Sequence, residues 1–161
     1  VMCGEDGRGP STVLREKVLA ALKADSVDEL IPIAYGRDGK PGQLARWGEV
    51  AALAPLVVEA EAQQGCLVAR DILTDAGDGV AEIAEAVAKR LGVGRQGECG
   101  VVVVLAGGVV SDPESVVSRT VASRLARTLP GARLCRPTME AAEAAARLGA
   151  RMVFEAAEKP K

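Results

Sequence analysis

The stretch that most limits what this chain can become is Val101-Val102-Val103-Val104-Leu105-Ala106-Gly107-Gly108, followed at once by Val109-Val110-Ser111-Asp112-Pro113-Glu114. An unbroken apolar run rich in β-branched residues reads as a strand buried on both faces, the kind found inside parallel sheets. It stops at two glycines, where a backbone without Cβ turns sharply or lets a ligand lie against it. Ser111 to Glu114 then spells a capping box with Pro113 in the first turn, which predicts a helix from Pro113 to about Leu129. Strand, glycine turn and helix N-terminus together form the usual place for a nucleotide in an α/β protein. The residues such a site would use are Ala106, Gly107, Gly108 and Asp112. Asp112 has two readings: contact with a ribose hydroxyl, or stabilisation of the helix start through its dipole by about 0.5 kcal/mol.

The rest of the chain supplies mostly helices. Val1 to Pro10 is glycine-rich and reads as a loop. Ser11 or Thr12 opens a helix to about Ala24, with Val13, Leu14, Val18, Leu19 and Leu22 on one face. Ser26 to Glu29 is a second capping box, opening a short helix toward Tyr35. After the turn-rich Gly36–Gly42 connection, a helix from about Gln43 or Glu49 runs to Gln64 and ends at Gly65. Tyr35 and Trp47, beside that connection, read as plugs over the helical core rather than sugar-stacking rings.

Between Cys66 and Leu91, Val68, Ile72, Ala76, Val80, Ile83, Val87 and Leu91 form one apolar stripe at helical spacing. Gly77 and Gly79 weaken that helix by about 1 kcal/mol each relative to Ala, and Gly92 ends it. Asp71, Asp75, Asp78, Glu82 and Glu85 share another face, expected to be a solvated acidic surface rather than a cation site. Gly92-Val93-Gly94-Arg95-Gln96-Gly97 spells G-x-G-x-x-G, but it follows a helix and precedes a strand, the reverse of the dinucleotide fingerprint, and reads as a loop. A second strand is expected at Ala132–Cys135, and Pro137-Thr138 opens a last helix to about Ala157. Arg119, Ser123 and Arg127 align on the helix between the strands as a wet surface, and Glu143 and Arg147 make an i,i+4 pair.

Bulk properties exclude several classes. The chain has 161 residues, and its 48% hydrophobic but only 2% aromatic content requires a core of Ala, Val, Leu and Ile. A net charge of -2 with mixed signs, and almost no stacking aromatics, argues against nucleic-acid binding. No apolar run approaches the roughly 18 residues of a membrane span, and no secretory signal opens the sequence, so a soluble cytoplasmic protein is expected. Cys3, Cys66, Cys99 and Cys135 are far apart and there is no histidine, so zinc would need all four at once and catalytic triads cannot be assembled.

The predicted architecture is a helical first half, 1–98, followed by a β-α-β-α unit, 99–161. Two parallel strands do not make a stable sheet alone, because both faces and both edges need covering. Further strands must come from a partner, or the chain is the C-terminal part of something larger.

Three stretches carry a family resemblance. Asp6-Gly7-Arg8-Gly9-Pro10-Ser11-Thr12, Val50-Ala51-Ala52-Leu53-Ala54-Pro55-Leu56-Val57, and Val103 to Val109 with the closing Leu148-Gly149-Ala150 resemble the C-terminal part of the BadF/BadG/BcrA/BcrD-type ATPases. That family includes the N-acetylglucosamine kinases and belongs to the sugar kinase, heat-shock ATPase and actin superfamily. The resemblance implies an α/β fold, an incomplete ribonuclease-H-like (actin-like ATPase) C-terminal lobe. It makes Val103 to Val109 the adenosine motif, with Gly107 and Gly108 admitting adenine and ribose. The cofactor it implies is ATP, with Mg bound mainly outside this chain. The full-length activity it implies is phosphorylation of N-acetylglucosamine or a related amino sugar.

The departures matter equally. The family's Asp-Gly-Gly-Gly-Thr-type and Gly-Thr-Gly-Ser-type phosphate loops and its catalytic aspartate are absent from the sequence, and Gly65-Cys66 stands where relatives place Gly-Asp. The chain alone is therefore expected to bind nucleotide weakly and to transfer no phosphate. Its expected partner is the missing N-terminal lobe or a second copy. The competing expectation is a non-catalytic interaction module that dimerises through its sheet edge.

Overall fold

The structure, a computed structural model, describes residues 1–36, 42, 47–94 and 100–157. Helices α1 (Met2–Glu5), α2 (Leu14–Leu22), α3 (Leu30–Tyr35), α4 (Trp47–Ala51), α5 (Ala54–Gln64) and α6 (Leu67–Leu91) precede strand β1 (Val101–Val104). Helix α7 (Val116–Thr128), strand β2 (Ala132–Cys135) and helix α8 (Ala141–Ala157) follow. The two strands pair in parallel with Val101 opposite Ala132 and Val104 opposite Cys135. The architecture is thus a helical first half followed by β-α-β-α with a two-stranded parallel sheet.

Glycine ends the two longest helices of the first half as expected. Gly65 and Gly92 adopt left-handed φ of 59° and 66°, and the following residues, Cys66 and Val93, donate back to Ala60 and Ala88. Other boundaries moved. The glycine-rich start holds a short helix, α1. The helix expected from Gln43 or Glu49 is, among the described residues, two helices, α4 and α5. Pro55 lies in the first turn of α5, where its missing N–H costs nothing and its ring would clash with an uninterrupted helix. The Glu29 carboxylate accepts no N–H of α3; it accepts the Asp25 N–H at 3.1 Å instead, and the helix starts at Leu30. Helix α8 begins at Ala141 rather than at Pro137. Tyr35 is 84% exposed, so it plugs nothing.

The largest correction concerns α6. Its buried residues are Ala69, Leu73, Gly77, Ala81 and Ala88, a stripe about a quarter-turn from the predicted one. Ile72, Val80, Ile83, Val87 and Leu91 are all exposed. The reason lies in α7. A Cβ on Gly77 would stand 2.7 Å from the Thr120 Cβ and 2.9 Å from the Val117 carbonyl oxygen. Small residues therefore let the two helices approach closely, and the larger apolar side chains are turned outward.

Helix α6 joins the two halves. Ala69 packs with Leu14 of α2 and Ala60 of α5, whereas Ala81 and Ala88 share a core with Val121, Leu125, Leu129 and Leu105. Val103, Ala132 and Leu134 bring one face of the sheet onto that second core. On the other face Val102 and Val104 are exposed, and so is every described side chain of α8, so β1 is covered on one face and not, as its apolar run predicted, on both.

Candidate functional site at the loop after β1

The loop from Ala106 to Ser115 follows from its chemistry. Gly107 has φ 118°, a conformation that favours glycine, and it turns the chain out of β1. The predicted capping box does not form. The Asp112 carboxylate accepts the Glu114 N–H at 2.8 Å and its carbonyl accepts the Ser115 N–H at 3.2 Å, which closes a turn on itself. Ser115, in extended conformation, is the N-cap, its hydroxyl accepting the Ser118 N–H at 3.2 Å, so α7 starts at Val116.

Three serines then fasten the loop. Ser111 donates to the Gly108 carbonyl at 2.9 Å, Ser115 to the Val109 carbonyl at 3.2 Å, and Ser118 to the Val110 carbonyl at 3.0 Å. Ser118 is only 1% exposed, so its bond satisfies a polar group that has little access to water. Consecutive carbonyls held in this way fix the backbone of Gly108 to Val110 before anything binds. Sequence reading missed this device; the signal was serines at 111, 115 and 118, four and three residues apart.

Of the four predicted residues, Ala106, Gly107, Gly108 and Asp112 are all exposed. Gly108 and Val109 line a groove of about 550 Å³ whose other wall is helical: Ala51, Ala54, Pro55, Val58, Glu59, Ala62 and Gln63. The groove is mainly apolar, with Glu59 and Gln63 as its polar side chains. A Cβ on Gly107 or Gly108 would meet nothing within 4 Å, so the open space above both glycines is available to a ligand. Of the four predicted residues only Gly108 lines the groove; Ala106, Gly107 and Asp112 do not, and the Asp112 carboxylate is engaged with the turn.

A second, shallower groove of about 360 Å³ runs between α6 and α7, lined by Thr74, Asp78, Arg119, Thr120, Ser123 and Arg127 among others. It gathers the aligned Arg119, Ser123 and Arg127. The arginine that matters structurally is Arg124. Its Nε and Nη2 donate to the Glu85 carboxylate at 2.7 and 3.1 Å, and Nη1 donates to the Asp78 carbonyl at 3.2 Å and its carboxylate at 3.4 Å. Thr128 adds a hydroxyl to Glu85 at 2.9 Å. Two members of the expected solvated acidic face are thus the clamp between α6 and α7. The Arg124 hydrogen bonds hold the Glu85 carboxyl below its ordinary value.

Thr12 Oγ1 and Cys66 Sγ share a hydrogen bond at 3.3 Å that lowers the thiol's pKa. Cys3, Cys66 and Cys135 are free thiols, while Cys99 and Arg95 to Gly97 of the G-x-G-x-x-G stretch lie outside the described residues. Among the described residues no group of His, Cys, Asp and Glu is placed to hold a metal ion, and no helix is long and apolar enough to cross a membrane. Compared with protein-family models, curated proteins and solved structures, the chain has no significant match in any of the three.

Proposed function

We propose that this chain supplies the adenosine-binding wall of an ATP-dependent kinase or ATPase, with a cytoplasmic amino-sugar kinase of the N-acetylglucosamine kinase type as the full-length activity. One observation carries the reading: the groove between α5 and the fastened loop at Gly108 and Val109. Its volume falls within the few hundred to about 1,000 Å³ of small-molecule sites. An apolar wall on α5 suits the face of a purine, and bare backbone at Gly108 lets a flat ring or ribose approach without displacing a side chain.

In this reading an aspartate outside the chain takes the proton of a sugar hydroxyl, which attacks the γ-phosphoryl group of Mg-ATP. The chain's own residues hold the far end of the nucleotide. The phosphate loops, most of the Mg²⁺ contacts and the acceptor site come from the missing lobe.

The test is isothermal titration of the purified chain with ADP and ATP, with and without Mg²⁺, beside Gly108→Val. Position 108 is free of left-handed strain and its Cβ would meet nothing, so the variant folds while its side chain fills the mouth of the groove. The expected result is weak ADP binding, loss of at least tenfold in affinity in Gly108→Val, and no tightening by Mg²⁺. Absence of ADP binding by the unaltered chain removes the nucleotide role.

A further inference from the structure

Helix α6 carries two apolar stripes, and its own chain uses one. The unused stripe is long: Ile72, Val80, Ile83, Val87 and Leu91 are 45, 39, 68, 51 and 68% exposed, with Ala76 exposed between them. They extend over nearly the whole helix, about 29 Å at 1.5 Å per residue. Single exposed apolar residues need no explanation, but a continuous row of this length does.

Gly79 points the same way. Gly77 is explained by α7, whereas a Cβ on Gly79 would meet nothing, so the described residues give no reason for the helix propensity lost there. Gly79 lies on the flank of the exposed stripe, where it would let another helix approach.

We propose that this stripe is a two-fold interface between copies of the chain, with α6 of one copy antiparallel to α6 of the second. The spacing is self-complementary. An antiparallel register that sets Val80 opposite Ile83 also sets Ala76 opposite Val87 and Ile72 opposite Leu91, so every apolar side chain of the stripe meets another across the seam. This is the isologous pattern of a closed dimer. Charge agrees with the direction: exposed Asp75 flanks the stripe toward one end and exposed Arg90 toward the other, so the antiparallel arrangement brings each acid toward the other copy's base, whereas a parallel one sets like beside like. This interface does not depend on nucleotide binding at Gly108, and it differs from pairing through the sheet edge.

Analytical ultracentrifugation of the full chain at about 50 µM tests it, a concentration at which a dimer of micromolar dissociation constant is well populated. The expected result is a dimer that Ile83→Asp converts to monomer with unchanged helical circular dichroism, since position 83 lies outside the chain's own core. Asp75→Arg and Arg90→Asp should each weaken the dimer about tenfold, and the double reversal should restore it. A monomeric unaltered chain overturns the proposal. So does a dimer indifferent to Ile83→Asp, which would place the contact elsewhere, or a double reversal no better than either single one. ADP titration of the Ile83→Asp monomer keeps this outcome separate from that of the adenosine groove.

Discussion

The two apolar faces of α6 differ in an instructive way. The face against α7 is built from Ala, Gly and one Leu, and it is buried; the neighbouring face carries three branched Val and Ile side chains within eight positions, and it is exposed. Hydrophobicity alone ranks these faces in the wrong order. Close approach of helix backbones is limited by side-chain size, so the face with the smallest residues gains the tightest helix contact and the Arg124 clamp.

The sharpest way to break this comparison is to give both glycines the same methyl group. Gly77→Ala should destabilise the chain by about 2 kcal/mol despite its gain in helix propensity, because the Thr120 Cβ and Val117 carbonyl must move. Chemical denaturation read by far-UV circular dichroism measures it, and an unchanged midpoint would mean that the α6–α7 contact is looser than described. Ser118→Ala comes next, at about 1.5 kcal/mol, because it leaves the Val110 carbonyl without its donor. If the serines preorganise the loop, the same variant weakens ADP binding beyond its effect on stability.

Gly79→Ala should do the opposite of Gly77→Ala and stabilise the monomer by about 1 kcal/mol, best measured in the Ile83→Asp background. The smallest effect is expected at the clamp. Glu85→Gln should lower the melting temperature by about 3 °C at neutral pH, a modest shift because the pair is partly open to water. The Glu85 carboxyl is depressed in the folded chain, so its contribution is fully present above the unfolded value near 4.5. It is lost as pH falls through the lower folded value. The difference between Glu85→Gln and the unaltered chain should therefore vanish in acid, and a difference that persists there would assign the effect to packing.

Much of the chain was legible without coordinates. The strand at the valine run (though not its burial on both faces), the glycines at 65 and 92, the second strand at Ala132–Cys135 and the Glu143–Arg147 pair follow from local rules and are found. The turn at Ser111–Glu114 was misread because Ser111, Asp112 and Ser115 each compete for the same few backbone groups. The stripe of α6 was misread because apolar spacing registers hydrophobicity and ignores size. The groove beside Gly108 could not be read at all, since its two walls are more than forty residues apart in the chain.

By itself, then, the sequence determined where the chain is strand, where it turns and where its two long helices stop, because those outcomes rest on β-branching, missing Cβ atoms and capping groups within a few residues. Tertiary structure decided which face of α6 is buried, which serine starts α7 and which helix stands opposite Gly108. Those outcomes rest on the distance of closest approach between elements, a quantity that no local pattern contains.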